Sequence, residues 1–135
     1  MSTSALDLKT RTRDFALRVI RLYSSLPKGD AVAQVLGKQM LRSATSVGAN
    51  YREGCRGRSD AEFVAKLGES LKELEETQYW FELLTGADCV AAPQMTVLAD
   101  EAGQLTAILT SIVKARRTAR SAQTSRIDTA TATTA

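Results

Sequence analysis

The sequence predicts an all-α fold, an antiparallel up-down-up-down four-helix bundle in a chain of 135 residues. The composition favours helices, because aromatic residues make up only 5% of the chain and there are only two prolines. Four segments repeat apolar residues at alternating spacings of four and three, the period of helices that pack along a common seam. Short loops separate the segments, so successive helices should run antiparallel.

The first predicted helix spans about residues 5–26 and is stopped by Pro27 and Gly29. Five residues form its apolar stripe: Leu8, Phe15, Val19, Leu22 and Leu26. The second predicted helix spans about residues 31–54 and follows Asp30, which can cap it. Its inward stripe is expected to be mostly polar and consists of Val32, Leu36, Gln39, Ser43, Ser46 and Asn50.

A capping box, Ser59 to Glu62, opens the third predicted helix at about residues 60–85. Its inward stripe is Phe63, Leu67, Ser70, Leu74, Thr77 and Phe81. The fourth predicted helix spans about residues 93–117 and carries the stripe Met95, Leu98, Ala102, Leu105, Leu109 and Ile112. Residues 1–117 thus form the predicted bundle, and residues 118–135, rich in Thr and Ala without an apolar period, predict a disordered tail.

Polar side chains on the facing stripes of the second and third helices predict a buried hydrogen-bond network. A buried hydroxyl or amide without a partner costs a few kcal/mol, so these groups should bond to one another and fix the register of the helices. A ligand site is the alternative interpretation. Ser46 and Asn50 are expected to be buried and to bond across to the third helix. The predicted network consists of Gln39, Ser43, Ser46, Asn50, Ser70, Thr77 and Gln78.

The chain contains no histidine and has two cysteines, Cys55 and Cys89, at opposite ends of the third predicted helix. A helix of that length holds them roughly 40 Å apart, too far for a disulfide. Neither a zinc site nor a histidine-activated nucleophile can be assembled from these residues, so we expect no metal, no cofactor and no enzyme activity. Glu69, Glu73 and Glu76 line one flank of the third helix and are interpreted as solvated or salt-bridged carboxylates.

The sequence also bears on the compartment. No apolar run approaches the roughly 20 residues that span a bilayer. Charged residues interrupt the first twenty positions, which is not typical of a signal peptide. We therefore expect a cytoplasmic protein without a membrane partner.

Charge is distributed unevenly, although the net charge is only +3. Residues 1–58 carry +7, residues 59–101 carry −8 and residues 102–135 carry +4. An up-down-up-down bundle brings three basic segments to one end, which predicts binding of nucleic acid through its phosphates. The alternatives are that these cations stabilise helix C-termini or serve solubility. The ten basic residues are Lys9, Arg11, Arg13, Arg52, Arg56, Arg58, Lys114, Arg116, Arg117 and Arg120.

Small and apolar residues outside the predicted core indicate an oligomer interface. Gly37, Ala44 and Gly48 form a smooth seam on the second helix, flanked by Leu41 and Tyr51, that another helix can approach closely. On the third helix, apolar side chains spread around the remaining faces: Tyr79, Trp80, Leu83 and Leu84. We therefore expect a closed homo-oligomer in which the tryptophan is an anchor.

The stretch QMLRSATSVGANYREG, residues 39–54, followed by FVAKLGESLKELEETQYWFELL, residues 63–84, resembles the bacterial four-helix-bundle proteins encoded in ribosomal-RNA intervening sequences. The accessory variability proteins of diversity-generating retroelements look similar at a greater distance. The resemblance implies a homopentameric barrel and, for the retroelement relatives, binding of nucleic acid and of a reverse transcriptase. The matching residues are Arg42, Ser46, Asn50, Glu53, Gly54, Ser70, Glu73 and Glu76.

Two functions compete on the sequence alone. The first is a non-enzymatic homo-oligomer that binds RNA or DNA through its basic end. The second is a protein-interaction scaffold whose basic end binds an acidic protein partner or a reverse transcriptase. Binding of nucleic acid that weakens steeply with salt would distinguish the first from the second.

Overall fold

The computed structural model describes the backbone of residues 5–134 and the side chains of residues 7–127. The described chain consists of four helices: α1 (Ala5–Ser25), α2 (Ala31–Cys55), α3 (Asp60–Gly86) and α4 (Ala92–Thr134). Helix α2 packs against α1 and α3, and α4 closes the bundle by packing against α3 and α1. The predicted all-α four-helix fold is confirmed.

Contacts at the helix ends show that neighbouring helices are antiparallel. Arg52, near the end of α2, donates to the carbonyl oxygen of Lys9 near the start of α1, at 3.4 Å. Arg116 on α4 binds Asp60, the first residue of α3, at 2.7 Å. The start of α1, the α2–α3 loop and the basic stretch of α4 therefore share one end of the bundle.

Helix starts are fixed by the predicted capping residues. The Asp30 carboxylate accepts from the backbone N–H of Ala33 at 3.1 Å, and the Ser59 hydroxyl accepts from the N–H of Glu62 at 3.1 Å. The Glu62 carboxylate accepts from the N–H of Arg58 at 2.6 Å, one residue before the position that a capping box uses. These bonds satisfy backbone donors that have no partner inside the helix and hold the α2–α3 loop in place.

The apolar stripes predicted for α1, α3 and α4 form the core. In its centre, the rings of Phe15 and Phe81 meet edge to face with their centroids 6.4 Å apart. The stripe residues are buried except Phe63 and Ile112, which are half-buried at the basic end. Three of the four predicted helix faces are therefore correct.

The stripe predicted for α2 is wrong by one position. Val32, placed inward by the prediction, is 53% exposed, and among the predicted stripe residues only Ser43 is fully buried. Five of the nine buried residues of α2 are Ala or Gly, which let α1 and α3 approach closely and give only a weak hydrophobic signal. The residues that face the core are Ala33, Gly37, Met40, Ala44, Val47, Gly48, Tyr51 and Gly54.

The predicted polar network is reduced to three hydroxyls. Ser43 and Thr77 share a hydrogen bond of 2.7 Å between α2 and α3, and Ser70 donates to the carbonyl oxygen of Val47 at 2.8 Å. The prediction for Ser46 and Asn50 is wrong.

The Ser46 hydroxyl donates to the carbonyl oxygen of Arg42, and the Asn50 amide donates to that of Ser46, so both bonds stay within α2. Because the true core face lies one position later, both residues turn toward the outer surface of the α2–α3 pair. Gln39 and Gln78 are partly exposed as well.

Helix α4 is longer than predicted, because it continues to Thr134 where a disordered tail was expected. Since Arg116 lies beside the start of α3, residues 117–134, which we call the projecting segment, extend about 27 Å past that point. Residues 118–127 are all exposed. The projecting segment lacks an apolar period because it has no packing partner in the bundle. Its Ala, Arg and Gln residues nevertheless favour a helix.

Within the described part of the chain, no helix combines the length and the apolar character needed to cross a bilayer.

Candidate nucleic-acid interface

The ten predicted basic residues come from three segments that meet at one end of the bundle, which we call the basic pole. Its strongest component is a set of exposed side chains that make no ion pair with any described residue. Because none of them is held in such a pair, they can bind an anion, although the charges of Arg56 and Glu53 act on each other. They are Arg56, Arg58, Lys114, Arg117 and Arg120.

Four further residues at this end are partly engaged. Arg52 donates to a backbone carbonyl of α1, and Arg13 lies 4.0 Å from Asp14 with both side chains exposed, a contact of little energetic value. Arg116 is bound to Asp60, and Lys9 is half-buried. These side chains add positive potential to the pole without being fully free.

Arg11 does not belong to the free surface of the pole, contrary to the prediction. Its guanidinium donates to both carboxylate oxygens of Glu101 at 2.7 and 3.2 Å, and to Gln104 at 3.2 Å. The hydrogen bond with Glu101 raises the pKa of Arg11, and burial opposes it. This bidentate pair joins α1 to α4, so Arg11 closes the bundle.

A cleft of about 750 Å³ opens at the basic pole between the α2–α3 loop and α4. The side chain of Arg116 forms part of its wall: the guanidinium carbon lies 4.3 Å above the centroid of the Phe63 ring. The cleft therefore combines an aromatic ring, stacked under a planar cation, with charged side chains at the edge. Its lining includes Tyr51, Cys55, Arg58, Asp60, Phe63 and Arg116.

Two glycines shape the cleft. A Cβ atom at Gly54 would lie 3.1 Å from Cβ of Lys66 and 3.2 Å from Cδ1 of Leu67, so glycine lets the last turn of α2 rest on α3. A Cβ atom at Gly57 would lie 3.0 Å from the carbonyl oxygen of Gly54. The spacing Gly54-x-x-Gly57 thus belongs to a tight loop that leaves open space beside it.

Tyr51 and Cys55 lie together in the wall of the cleft. Burial raises the pKa of the Tyr51 phenol well above its ordinary value, a hydrogen bond with Cys55 raises it further, and Arg116 opposes the shift. The phenol is therefore neutral at physiological pH. Cys55 and Cys89 are both free thiols.

The predicted oligomer interface is divided by the structure into a buried part and a surface part. Gly37, Ala44, Gly48, Tyr51 and Leu84 are buried inside the bundle. The predicted direction of the glycine seam was therefore wrong.

The contacts of the seam explain the error. A Cβ atom at Gly48 would lie 3.0 Å from Oγ1 of Thr12, and one at Gly37 would lie 2.6 Å from Cδ1 of Leu26, so the seam receives α1 of the same chain.

The surface part of the predicted interface lies on the outer side of the α2–α3 pair. Tyr79 is 52% exposed, with its ring centroid 5.2 Å from that of the half-buried Trp80, and Leu83 is also half-buried. Leu41 is half-buried too, but it lies one helical turn from Gly37 and therefore on the side of α2 that faces α1. Helical spacing adds Val32 and Val35, which are 53% and 61% exposed, to the outer side of the α2–α3 pair.

Two of the three glutamates on the flank of α3 take part in ion pairs. Glu76 binds Arg42 at 2.9 Å, and Glu69 lies 3.9 Å from Lys72. Burial and the charges of Glu76 and Glu69 raise the pKa of Glu73, and Arg42 opposes the shift. Among the residues that the structure describes, no cluster of His, Cys, Asp and Glu side chains is suited to a metal ion.

Sequence reasoning missed two features of these surfaces. The cleft was not predicted. Its signals in the sequence are the two glycines of the α2–α3 loop, Gly54 and Gly57, followed by the aromatic Phe63 in the first turn of α3. The exposed Val32 and Val35 were missed because the stripe of α2 was assigned one position too early.

These features define a four-helix bundle whose helix ends collect cations at one pole. The chain belongs to the 23S rRNA-intervening sequence protein family, whose model matches residues 4–111. The resemblance seen in the α2 and α3 sequences is thereby confirmed for this family, while the link to retroelement proteins stays a prediction.

A solved structure gives the same fold. It is a protein of unknown function from the S23 ribosomal protein family of Bacteroides thetaiotaomicron, 37% identical, with a TM-score of 0.74. The match covers 79% of this chain and 98% of that chain. No curated protein is significantly similar in sequence.

Proposed function

We propose that this protein is a homo-oligomer that binds nucleic acid, most directly single-stranded RNA, through the basic pole. The observation that carries the proposal is the set of five exposed basic side chains, contributed by the α2–α3 loop and α4, that form no ion pair within residues 7–127. Cations that are already exposed can bind phosphates without breaking internal pairs, and release of counterions from the nucleic acid drives such binding. The rRNA-related family supports RNA as the ligand.

The charge of the opposite end supports the choice of surface. Asp30, Glu82, Asp88 and Asp100 are exposed and lie toward the other end of the helices. Lys28 and Lys38 are exposed at this end as well and offset part of its negative charge, so a polyanion is attracted to the basic pole instead and the bundle should bind end-on. The projecting segment extends the positive surface, because Arg117 and Arg120 lie on its first turns.

Binding to a labelled single strand of about 20 nucleotides tests this proposal by fluorescence anisotropy. The affinity should fall steeply between about 50 and 200 mM salt, with a log–log slope of about 0.7 for each phosphate contact. Replacing Arg117→Glu together with Arg120→Glu should weaken binding at least about tenfold. The matched control, Lys28→Glu with Lys38→Glu, changes the net charge equally at the opposite end and should leave the affinity nearly unchanged.

Two results would contradict the proposal. Equal weakening by both double variants would show that only the net charge matters and not the basic pole. Absence of binding at low salt would favour the alternative function, a scaffold that binds an acidic protein or a reverse transcriptase.

The outer side of the α2–α3 pair supports self-association. Val32, Val35 and Tyr79 are more than half exposed there, beside Trp80 and Leu83. An exposed cluster of large apolar side chains at one place is typical of a protein interface.

We therefore propose a closed ring of identical chains, for which the family resemblance implies five. A head-to-tail ring of parallel chains would gather every basic pole on one face and add their weak phosphate contacts through avidity.

Light scattering coupled to size exclusion tests the ring. The native mass should be a multiple of 14.6 kDa. Val35→Glu should dissociate the assembly, because it buries a charge in the interface. Val97→Glu is the matched control, since Val97 is 57% exposed on α4, outside the α2–α3 surface, and its replacement should leave the mass unchanged. A native monomer at micromolar concentration would exclude this interface.

A further inference from the structure

The cleft at the basic pole has features that phosphate binding alone does not use. Phosphate contacts need only cations, yet this cleft is built around the Phe63 ring, the buried Tyr51 and apolar surface from Ile112. Its volume of about 750 Å³ lies in the range of sites that enclose small organic molecules, roughly 300–1,000 Å³. An aromatic pocket of that size next to free arginines requires a ligand with both a flat ring and an anionic group.

We infer that the cleft receives an unpaired nucleobase of a single-stranded nucleic acid, which stacks on the Arg116–Phe63 pair while Arg58 holds a neighbouring phosphate. This inference rests on the proposed function and assigns a second type of contact to the same surface. The guanidinium carbon of Arg116 lies over the Phe63 ring, 4.3 Å from its centroid, so the cation and the ring together offer a surface for a further planar group. Arginine planes and aromatic rings are the surfaces on which single-stranded bases stack.

Asp60 holds the Arg116 guanidinium beside the Phe63 ring and can offer a polar contact to the edge of the base. One of its carboxylate oxygens binds Arg116 at 2.7 Å and keeps the guanidinium in place. The carboxylate can accept further hydrogen bonds through its other oxygen, for example from an exocyclic amino group of a base. A base in a duplex cannot reach this site, because it is paired and stacked between its neighbours. The cleft therefore predicts a preference for single strands over duplexes of the same sequence.

The two free cysteines allow occupation of the cleft to be measured, with one thiol as the reporter and the other as an internal control. Cys55 lines the cleft, whereas Cys89 lies beyond the other end of α3, and both are half-buried. Alkylation by a small maleimide, followed by mass spectrometry, reports the rate at each thiol with and without ligand. Comparing each thiol with itself removes the effect of the pKa of Cys89, which burial and then Asp30 and Asp88 raise.

The probes are a single-stranded oligonucleotide and an inorganic polyphosphate of similar charge. Both should bind the basic pole in a salt-dependent way, but only the oligonucleotide should slow alkylation of Cys55, by at least about fivefold. Neither should change the rate at Cys89.

The outcomes separate this inference from the proposed function. Equal protection by polyphosphate would overturn the base site, because phosphates alone would then cover the cleft. Binding of the oligonucleotide without protection of Cys55 would also overturn it and leave the phosphate-binding pole intact. Failure of both probes to bind would contradict the proposed function itself.

Filling the cleft gives a second test. Ala115 is exposed and lines the cleft, so Ala115→Phe should occupy the space of the base without removing a charge. The affinity for the oligonucleotide should fall about tenfold while that for polyphosphate stays unchanged. Ala107→Phe, at an exposed position of α4 outside the cleft, is the control and should affect neither probe. An unchanged oligonucleotide affinity in a folded Ala115→Phe variant would contradict the inference.

Discussion

Gly48 and Gly103 lie in helices of the same bundle but differ in what a side chain would meet. A Cβ atom at Gly48 would lie 3.0 Å from Thr12 on α1, whereas nothing lies within 4 Å of one at Gly103. We expect Gly48→Leu to lower the free energy of unfolding by at least about 2 kcal/mol, because the helices would be forced apart. Gly103→Ala should raise it by about 0.5–1 kcal/mol through helix propensity. Urea denaturation measures both, and a destabilising Gly103→Ala would contradict this account.

The hydroxyl pair of Ser43 and Thr77 should be the strongest polar coupling between α2 and α3. A double-mutant cycle with Ser43→Ala and Thr77→Val should give an interaction energy of about 0.5–1.5 kcal/mol, since both groups are buried and their bond is 2.7 Å long. Ser46→Ala is the control and should change stability by less than about 0.5 kcal/mol, because its hydroxyl is exposed. A larger effect at Ser46 than at Ser43 would instead support the sequence prediction that Ser46 lies on the inward face of α2.

Glu73 should make stability depend on pH. Burial and two nearby carboxylates raise its pKa above the ordinary value of 4.5, so the folded state holds a proton more tightly than the unfolded state. Stability therefore decreases as pH rises through and above that value. Glu73→Gln should raise stability at pH 7 by about 0.2–0.5 kcal/mol, and this gain should disappear near pH 4. The control is Glu75→Gln, an exposed carboxylate on the same helix, and a gain that persists at low pH would contradict the mechanism.

The helices themselves were predictable because their signals are local. Large apolar residues at regular spacing identified the faces of α1, α3 and α4, and capping residues such as Asp30 and Ser59 marked helix starts. Helix α2 was assigned the wrong face because its inward residues are small, and burial of Ala and Gly is decided by the neighbouring helix rather than by hydrophobicity.

The candidate site was predictable only in its charge. Topology brings the basic segments together, and that could be derived from helix order alone. The pairing of Arg11 with Glu101 depends on how far α1 is shifted along α4, and the cleft depends on the loop geometry at Gly54 and Gly57. Neither the shift of α1 along α4 nor the geometry of the loop follows from a local sequence pattern. The sequence therefore could not show which cations are paired and which are exposed.

The projecting segment of α4 should contribute little to stability. Its side chains between residues 118 and 127 are exposed and therefore add no core contact. Deleting residues 122–135 should shift the thermal midpoint by less than about 2 °C, while the helical circular dichroism signal decreases. A midpoint lowered by about 5 °C or more would show that the segment packs on the bundle or on a neighbouring chain.

The proposed assembly surface and the proposed nucleic-acid surface are separate, so the two proposed functions can be uncoupled. Val35→Glu, which should produce single chains, leaves the cations of the basic pole intact. We expect its affinity for a strand of about 10 nucleotides to equal that of the native protein, because one pole is enough for so short a ligand. Its affinity for a long strand should fall about 10²-fold or more, since avidity is lost. Equal affinities of the native protein and Val35→Glu for the long strand would contradict a ring that gathers the basic poles on one face.

The segregation of charge along the helix axis also makes the molecule a large permanent electric dipole. Antiparallel helices largely cancel one another's backbone dipoles, so this moment arises from side chains: the free arginines at one end and Asp30, Glu82, Asp88 and Asp100 at the other. Molecules standing on a polyanion would therefore all point the same way and expose a negatively charged outer layer. That layer does not attract a second polyanion, so the protein should coat one strand without cross-linking two.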